Sequence, residues 1–223
     1  MRINIAIDGP SASGKSTIAK ILAQKLGYIH LDTGLMYRAV AYKALLNKLS
    51  LEDEESIIKM LANTTFSYDC GVFMLDGKEI NAELRTKTID EAVIPISRHK
   101  GIRQFLVHQQ KEIASLKGFI LDGRDIGTVV LPDAELKIFQ IASVESRTQR
   151  RFLDYQKKGI EIDYETVHQD MMNRDYNDYN RTNSPLKKAD DAIEIDTSDM
   201  SIDETVECIL KVIKEKLKGT SDD

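Results

Sequence analysis

The sequence has little of what marks secreted, membrane or metal-binding proteins. Among 223 residues there are only two cysteines, Cys70 and Cys208, and no CxxC motif. This excludes a disulfide scaffold and a thiolate metal site. We expect a cytoplasmic protein, because free thiols persist in a reducing compartment. The longest apolar runs are only as long as a strand, so we expect neither a membrane span nor a signal peptide.

An excess of basic charge is also absent. The chain has 31 Lys and Arg against 36 Asp and Glu, a formal net charge of −5. Such a charge argues against a nucleic acid polymer as the main partner. The four histidines show no metal-ligand spacing, and we interpret them as surface or packing residues. With 42% hydrophobic residues the chain can bury a substantial core, and we expect a monomer.

Short apolar strands alternate with amphipathic helices along most of the chain. This order predicts a three-layer α/β core with a five-stranded parallel sheet. We predict the five strands at 3–8, 28–31, 119–121, 136–141 and 192–195. We predict the main helices at 15–26, 34–46, 50–62, 99–116, 143–158, 163–179 and 201–217. Three further strand-like runs, with a turn at Asp76-Gly77, predict a small antiparallel β insertion over 63–95.

A glycine-rich motif follows the first predicted strand and opens the first predicted helix. It matches GxxxxGK[ST], and we assign nucleotide binding to Gly9, Pro10, Ser11, Ala12, Ser13, Gly14, Lys15, Ser16 and Thr17. Backbone N–H groups in such a loop converge on phosphate oxygens, and the two glycines allow the close turn. Lys15 can reach the β- and γ-phosphates, and the Ser16 hydroxyl can bind Mg2+. The motif predicts a P-loop NTPase core that binds a nucleoside triphosphate, and we interpret Asp8 as an organiser of loop structure.

Arginines cluster in motifs at the ends of two further strands and on one helix. The motif at 32–38 ends in Arg38, and the one at 122–125 contains Arg124, so both face the sheet edge where ligands bind in open α/β folds. Three residues at helical spacing share one face, namely Arg174, Asp178 and Arg181. Alone they could form a solvated ion-pair stripe. Beside the other motifs we favour a second phosphate site, because guanidinium groups pair bidentately with phosphate.

These motifs resemble those of the bacterial cytidylate kinases, a branch of the nucleoside monophosphate kinases. IDGPSASGKST at 7–17, DTGLMYR at 32–38, DGRDIGTVVLPDA at 122–134 and NRTNSPLKKADDAIEIDT at 180–197 occur in the family order over nearly the whole chain. The resemblance implies a single P-loop kinase domain over 1–223, with the 63–95 insertion on the acceptor-binding side. It also implies phosphorylation of CMP and dCMP to CDP and dCDP, with ATP as donor and Mg2+, by in-line transfer.

The resemblance further implies roles for single residues in binding the acceptor. The acceptor phosphate would be held by Arg38, Arg124 and Arg181, with Thr33 near it and Tyr37 packed on the acceptor. Asp178, supported by Arg174, would bind the sugar hydroxyls, and Arg103 and Asp125 would contact cytosine. Uracil would place a carbonyl against Asp125, at a cost of about 1–3 kcal/mol. Where family members often have a serine, this chain has Ile94, so that either Ser97 replaces the serine or the contact is missing.

Two other regions keep alternative interpretations. Arg147, Arg150 and Arg151 form either an exposed basic helix end or part of a lid over 147–164 that closes on the transferring phosphoryl group. In the second case Arg150 and Arg151 join Lys15 and Arg124 as catalytic residues. Asp122 ends an apolar strand and could bind Mg2+ through water, orient Arg124 or lie near the acceptor phosphate.

Two further functions stay open from the sequence. One is a P-loop kinase of another small acceptor, such as UMP, AMP or shikimate. The other is a non-catalytic nucleotide-binding regulatory module, which would need no second phosphate site.

Overall fold

Residues 2–69, 72–80 and 83–219 are described by the structure, a computed structural model. The contacts of the chain divide them into two units. Unit 1 contains residues 2–31 and 117–219, and unit 2 contains the described residues of 32–116. Cys70 lies outside the described residues, and Cys208 is a half-buried free thiol.

The helices and strands follow one another as the alternation in the sequence predicts. In chain order they are β1 (Ile5–Asp8), α1 (Lys15–Leu26), β2 (Ile29–Asp32), α2 (Thr33–Leu46), α3 (Glu54–Leu61), β3 (Phe66–Asp69), β4 (Val72–Leu75), β5 (Lys78–Glu79), α4 (Lys87–Arg98), α5 (Lys100–Ala114), β6 (Phe119–Gly123), β7 (Leu136–Ile141), α6 (Val144–Lys157), α7 (Tyr164–Asn180), β8 (Ile193–Asp196) and α8 (Ile202–Gly219). A short π-helical turn, Ile126–Val130, follows β6 and was not predicted.

The five-stranded parallel sheet is confirmed, with the strand order β2-β6-β1-β7-β8. The register pairs Ile7 with Asp122 of β6, and Asp8 with Phe139 of β7. The end of β1 therefore lies between the ends of β6 and β7, so the chain after Asp8 leaves the sheet at its carboxyl edge. Apolar side chains of β1 pack with α1 and α8 in one buried cluster, which includes Ile5, Ile7, Leu22, Ile209 and Ile213.

Unit 2 contains the predicted antiparallel strands, in the order β3-β4-β5. The turn between β4 and β5 is at Asp76-Gly77, as predicted, and both residues have positive φ, 50° and 75°. Left-handed backbone at both central positions suits the tight hairpins in which Asp-Gly is common. The unit buries its own apolar cluster, which includes Met36, Ile57, Phe73 and Ile96.

The second half of the predicted β insertion is a helix, and here the β prediction was wrong. Helix α4 spans Lys87–Arg98, begins at the cap residue Thr86 and contains Pro95 in its interior. A proline there lacks the N–H that a helix uses, which disfavours the helix locally. Burial of Ile89, Ala92 and Ile96 on one face outweighs that loss. The roles of residues 63–95 as an insertion on the acceptor-binding side and of residues 147–164 as a lid stay predictions.

Helix boundaries follow their capping residues. Helix α3 begins at Glu54, four residues after the predicted start, because the Asp53 carboxylate accepts the Ser56 N–H at 3.1 Å. The reciprocal cap before α8 joins Ser201 and Glu204: each backbone N–H donates to the other side chain, at 2.8 Å and 3.2 Å.

Candidate active site

The loop between β1 and α1 has the backbone geometry of a phosphate cradle. Gly9 has φ +151°, and a Cβ there would lie 2.0 Å from the Gln140 carbonyl oxygen, so only glycine fits. Gly14 precedes α1 with φ +94° and supplies no side-chain cap to the helix. Gly14 therefore provides no side-chain acceptor for the first backbone N–H groups of α1. Backbone N–H groups at the N-terminus of a helix can bind an anion such as a phosphate.

Three donors converge on the carbonyl oxygen of Ser13 in this loop. Gln140 Nε2 of β7 lies 2.5 Å from it, Arg150 Nη1 of α6 lies 3.1 Å from it, and Thr197 Oγ1 lies 3.4 Å from it. The loop is thus tied to a strand, a helix and the segment after β8. Gln140 is 1% exposed, and the sequence analysis did not single it out.

Lys15 is buried at the start of α1. Its Nζ donates to the Pro10 carbonyl at 2.7 Å and to Ser13 Oγ at 3.4 Å. Burial, together with the nearby charge of Arg124, lowers the pKa of Lys15 to about 7, although the charge of Asp122 acts in the opposite direction. The ammonium group is therefore poorly compensated in the protein alone, which prepares it for a polyanionic ligand.

Ser16 and Asp122, the two residues considered for metal binding, lie in contact. Ser16 Oγ donates to Asp122 Oδ2 at 2.6 Å, and His30 Nε2 lies 2.6 Å from the other carboxylate oxygen, Oδ1. Burial by itself would raise the pKa of Asp122. The hydrogen bond and charge of His30, with Lys15 and Ser16, outweigh burial and lower the pKa below its usual value. Asp122 is accordingly held as a carboxylate.

Asp8 organises the segment after β6. Its two carboxylate oxygens accept the N–H groups of Ile126 and Gly127, both at 2.7 Å. Burial raises the pKa of Asp8 to about 6, although these two hydrogen bonds act in the opposite direction. The contacts agree with the interpretation of Asp8 as a loop organiser.

Five of the predicted acceptor residues lie together in unit 1, namely Arg124, Asp125, Arg174, Asp178 and Arg181. Arg124 Nε donates to Asp178 Oδ2 at 2.7 Å, and Arg181 Nη1 is 4.0 Å from the other oxygen of the same carboxylate. Arg181 Nη2 is also 3.7 Å from Asp125 Oδ1. Burial would raise the pKa of Asp178, but Arg124, Arg174 and Arg181 lower it, so the group stays ionised. Bonded in this way, the guanidinium groups are held within one cluster.

The arginines of α6 differ from one another in their surroundings. Arg147 is 3% exposed and pairs through both terminal nitrogens with Asp175 of α7, at 3.0 Å and 2.6 Å. It is therefore not part of an exposed basic face. Arg150 donates to the carbonyls of Ser13 and Thr197, at 3.1 Å and 2.5 Å. The Arg151 guanidinium lies 4.8 Å from the centre of the Tyr155 ring.

The other predicted acceptor residues belong to unit 2. Arg38 donates to the Leu84 carbonyl at 3.0 Å and forms an ion pair with Asp90 of α4. The Arg103 guanidinium lies 5.3 Å from the centre of the Tyr37 ring. Arg103, predicted to contact cytosine, and Tyr37, predicted to pack on the acceptor, are therefore neighbours. Thr33 is buried at the first position of α2.

Ser97 and Ile94 occupy neighbouring positions of α4. The Ser97 hydroxyl donates to the Ile94 carbonyl at 2.9 Å, within its own helix, and its own carbonyl accepts from Arg103 Nη1 at 3.4 Å. The Ile94 side chain is exposed. A contact of Ser97 with the acceptor base stays a prediction.

Comparison with known proteins identifies the family. The family model described as cytidylate kinase matches residues 5–215. The chain belongs to the cytidylate kinase family. It is 47% identical to the cytidylate kinase of Enterococcus faecalis, over 96% of this chain and 97% of that one. It is 48% identical to that of Lactobacillus johnsonii, over 97% and 96% of the two chains. A gluconokinase from Sinorhizobium meliloti aligns over 99% of this chain and 98% of its own, with a TM-score of 0.50 at 14% identity, and shares the fold.

The sequence analysis of this cytidylate kinase family member missed three contacts that the structure shows. They are the His30–Asp122 hydrogen bond, the Gln140–Ser13 hydrogen bond and the Arg147–Asp175 ion pair. Each joins residues far apart in the sequence, so only a polar residue in an apolar strand, as at 140, could have pointed to one of them. Within the described part of the chain, no helix has the length and apolarity needed to cross a bilayer.

Proposed function

We propose that this member of the cytidylate kinase family transfers the γ-phosphoryl group of ATP to CMP and dCMP in one in-line step. Phosphorylation of CMP by ATP follows from membership of the family. The observation that carries the assignment of residues is the proximity of two sites in unit 1. Arg124, bonded to Asp178, is close enough to Lys15 of the P-loop to lower its pKa.

The chemistry needs charge compensation more than proton transfer. An oxygen of the acceptor phosphate attacks the γ-phosphorus of ATP, the bond from that phosphorus to the β-phosphate oxygen breaks, and ADP leaves with the electron pair. The attacking oxygen is already anionic at neutral pH, so no general base is required. We assign Lys15, Arg124, Arg150 and Arg151 to the stabilisation of the charge that develops on the transferred group.

The oxygen ligands beside the P-loop fit Mg2+. Ser16 Oγ and Asp122 Oδ2 are hard donors 2.6 Å apart, and Mg2+ in kinases is bound by one or two protein oxygens together with substrate phosphates. When bound, the ion neutralises part of the charge on the donor phosphates. We assign Ser16 as a direct ligand and Asp122 as a ligand either directly or through water.

The acceptor is assigned to the residues that the sequence motifs indicate for it. We propose that its phosphate is held by Arg38, Arg124 and Arg181, with Thr33 nearby, its sugar by Asp178 with Arg174, and its base by Arg103, Asp125 and Tyr37. Support comes from the ion-pair cluster around Asp178 and from the contact of Arg103 with Tyr37. Arg38 pairs with Asp90, so the acceptor phosphate would have to replace the Asp90 carboxylate at the Arg38 guanidinium group.

Closure over the donor is assigned to the segment 147–164. Arg150 donates to two backbone carbonyls, and it would have to leave at least one of them to reach a transferring phosphoryl group. Closure of a lid excludes water and limits hydrolysis of ATP. A monomeric, cytoplasmic protein stays a prediction.

An acceptor panel tests the proposed function and its assignment of the base. ADP release is measured with ATP, Mg2+ and each of CMP, dCMP, UMP, AMP and shikimate, for the protein as it stands and for Asp125→Asn. We expect CMP and dCMP to give the highest kcat/KM, and Asp125→Asn to lower the CMP/UMP ratio by about 10-fold or more, because an amide cannot replace both acceptor oxygens of the carboxylate.

Other outcomes of the panel would each overturn a stated part of the proposal. A higher kcat/KM for AMP than for CMP would remove the roles given to Arg103 and Asp125. An unchanged CMP/UMP ratio in Asp125→Asn would remove the base contact of that residue alone. Nucleotide binding without acceptor-dependent ADP release would identify a regulatory module.

A further inference from the structure

His30 is the residue next to the metal ligands for which the proposed function has no role. It lies on β2, and Asp122 lies on β6, the neighbouring strand of the sheet. Its Nε2 is 2.6 Å from Asp122 Oδ1, and the two side chains are 17% and 5% exposed. The contact is therefore mostly shielded from water and joins two strands at the carboxyl edge of the sheet.

The chemistry of the contact defines its direction. An ionised carboxylate only accepts hydrogen bonds, so the proton lies on Nε2 and the imidazole is the donor. Each oxygen of Asp122 then accepts from a side-chain donor: Oδ1 from His30, and Oδ2 from the Ser16 hydroxyl. The torsion about the Cβ–Cγ bond of an aspartate ordinarily has a broad, nearly two-fold distribution. Two donors on opposite sides of the carboxylate restrict this rotation in Asp122.

We propose that His30 is a positioning residue for the Mg2+ site, which holds Asp122 so that Oδ2 stays directed at Ser16. The inference rests on the proposed role of Ser16 and Asp122 as metal ligands. Groups that hydrogen-bond to a ligating carboxylate orient it, and their loss commonly weakens metal binding by about 10- to 100-fold. His30 itself does not contact the metal or the substrate in this scheme.

The test measures how much Mg2+ strengthens nucleotide binding, without any turnover. The dissociation constant of ADP is determined by titration calorimetry with EDTA and with saturating Mg2+, and the ratio of the two constants is the metal gain. Four proteins are compared: the unaltered chain, His30→Phe, His30→Gln and Asp122→Asn. Phe fills the space without a donor, and the Gln amide nitrogen can take the place of Nε2.

We expect His30→Phe to reduce the metal gain by about 10-fold while the metal-free dissociation constant changes by less than about twofold. His30→Gln should keep the gain within about threefold of the unaltered chain, because it restores the donor. A purely structural histidine would lower the melting temperature and leave the metal gain unchanged. That result, with a reduced gain in Asp122→Asn, would overturn the inference and leave the metal site intact.

Failure of the underlying metal site gives a different pattern. If Asp122→Asn and His30→Phe both keep the full metal gain, Asp122 is not a metal ligand and the inference fails with it. If His30→Phe does not fold, His30→Asn takes its place, because the shorter amide does not reach Oδ1. The inference then requires a smaller metal gain in His30→Asn than in His30→Gln, and equal gains would overturn it.

Discussion

Lys15 shows how a single residue is prepared for its ligand at the expense of its own solvation. Its ammonium group is buried, and burial lowers its pKa to about 7. Its Nζ donates to one protein carbonyl and one hydroxyl, at 2.7 Å and 3.4 Å. A triphosphate would supply the negative charge that the protein provides only in part. The residue is thus costly for folding and useful for binding, as active-site groups commonly are.

Replacement of Lys15 by Met should separate these two effects. Met keeps most of the buried volume and removes the poorly compensated charge, so the free energy of unfolding should not fall. Loss of the cation that faces the donor phosphates should lower kcat by about 10³-fold or more. Urea denaturation and acceptor-dependent ADP release measure the two quantities.

The matched control for this prediction is Lys20→Met on the same helix. Lys20 is exposed, so its replacement should leave both stability and kcat nearly unchanged. A strong loss of stability in Lys15→Met, or equal kcat in the two variants, would contradict the role of Lys15.

At the scale of elements, the ion pair between α6 and α7 fixes the start of the proposed lid. Arg147 of α6 donates to both oxygens of Asp175 in α7. It also donates to the carbonyls of Ala142 and Ser11, the second of which belongs to the P-loop. The beginning of α6 is therefore anchored, and motion of the segment 147–164 would have to take place beyond this anchor.

Removal of one partner of this pair should be costly. In Asp175→Ala the Arg147 guanidinium keeps its burial and loses its counter-charge, so we expect a loss of about 3 kcal/mol in the free energy of unfolding. Asp170→Ala on the same helix is the control, because Asp170 is exposed and its removal should cost less than about 0.5 kcal/mol. Equal values for the two variants, measured by urea denaturation, would show that the pair does not anchor α6.

The elements also show where sequence patterns succeed. Helix α1 and strand β7 have the predicted bounds, because their periodicity and end signals lie within the segment itself. Helix α4 was missed, because Pro95 argues against a helix locally and only burial of one face against the rest of unit 2 favours it. The start of α3 at Glu54, four residues later than predicted, follows the capping side chain of Asp53.

At the scale of the whole molecule, Asp8 links stability to pH. Its pKa is raised from 3.8 to about 6, chiefly by burial. At a pH between these two values, the Asp8 carboxyl group is protonated in the folded protein and already ionised in the unfolded chain. The contribution of this group to stability is complete below pH 3.8 and is lost as the pH rises through about 6, which corresponds to about 3 kcal/mol.

Replacement of Asp8 by Asn should remove this dependence. The free energy of unfolding of the unaltered chain, minus that of Asp8→Asn, should decrease by about 2.5 kcal/mol between pH 4 and pH 7. The difference between the two proteins is used because other carboxyl groups, such as Asp178, have lowered pKa values and lose their contribution as the pH falls. An exposed control in the same unit is Asp133→Asn.

Urea denaturation at several pH values measures both differences. A constant difference for Asp8→Asn across this range would contradict the raised pKa of Asp8. A difference that changes equally for Asp133→Asn would show that the effect belongs to net charge rather than to burial.

The sequence alone determined the P-loop, the alternation of strands and helices and the family, because each depends on residues that are consecutive or repeat with a local period. Only the tertiary structure decided which side chains meet. His30 reaches Asp122 across 92 positions and Gln140 reaches Ser13 across 127, and both contacts depend on the strand order β2-β6-β1-β7. Strand order results from how apolar faces are buried together, and no local pattern encodes it.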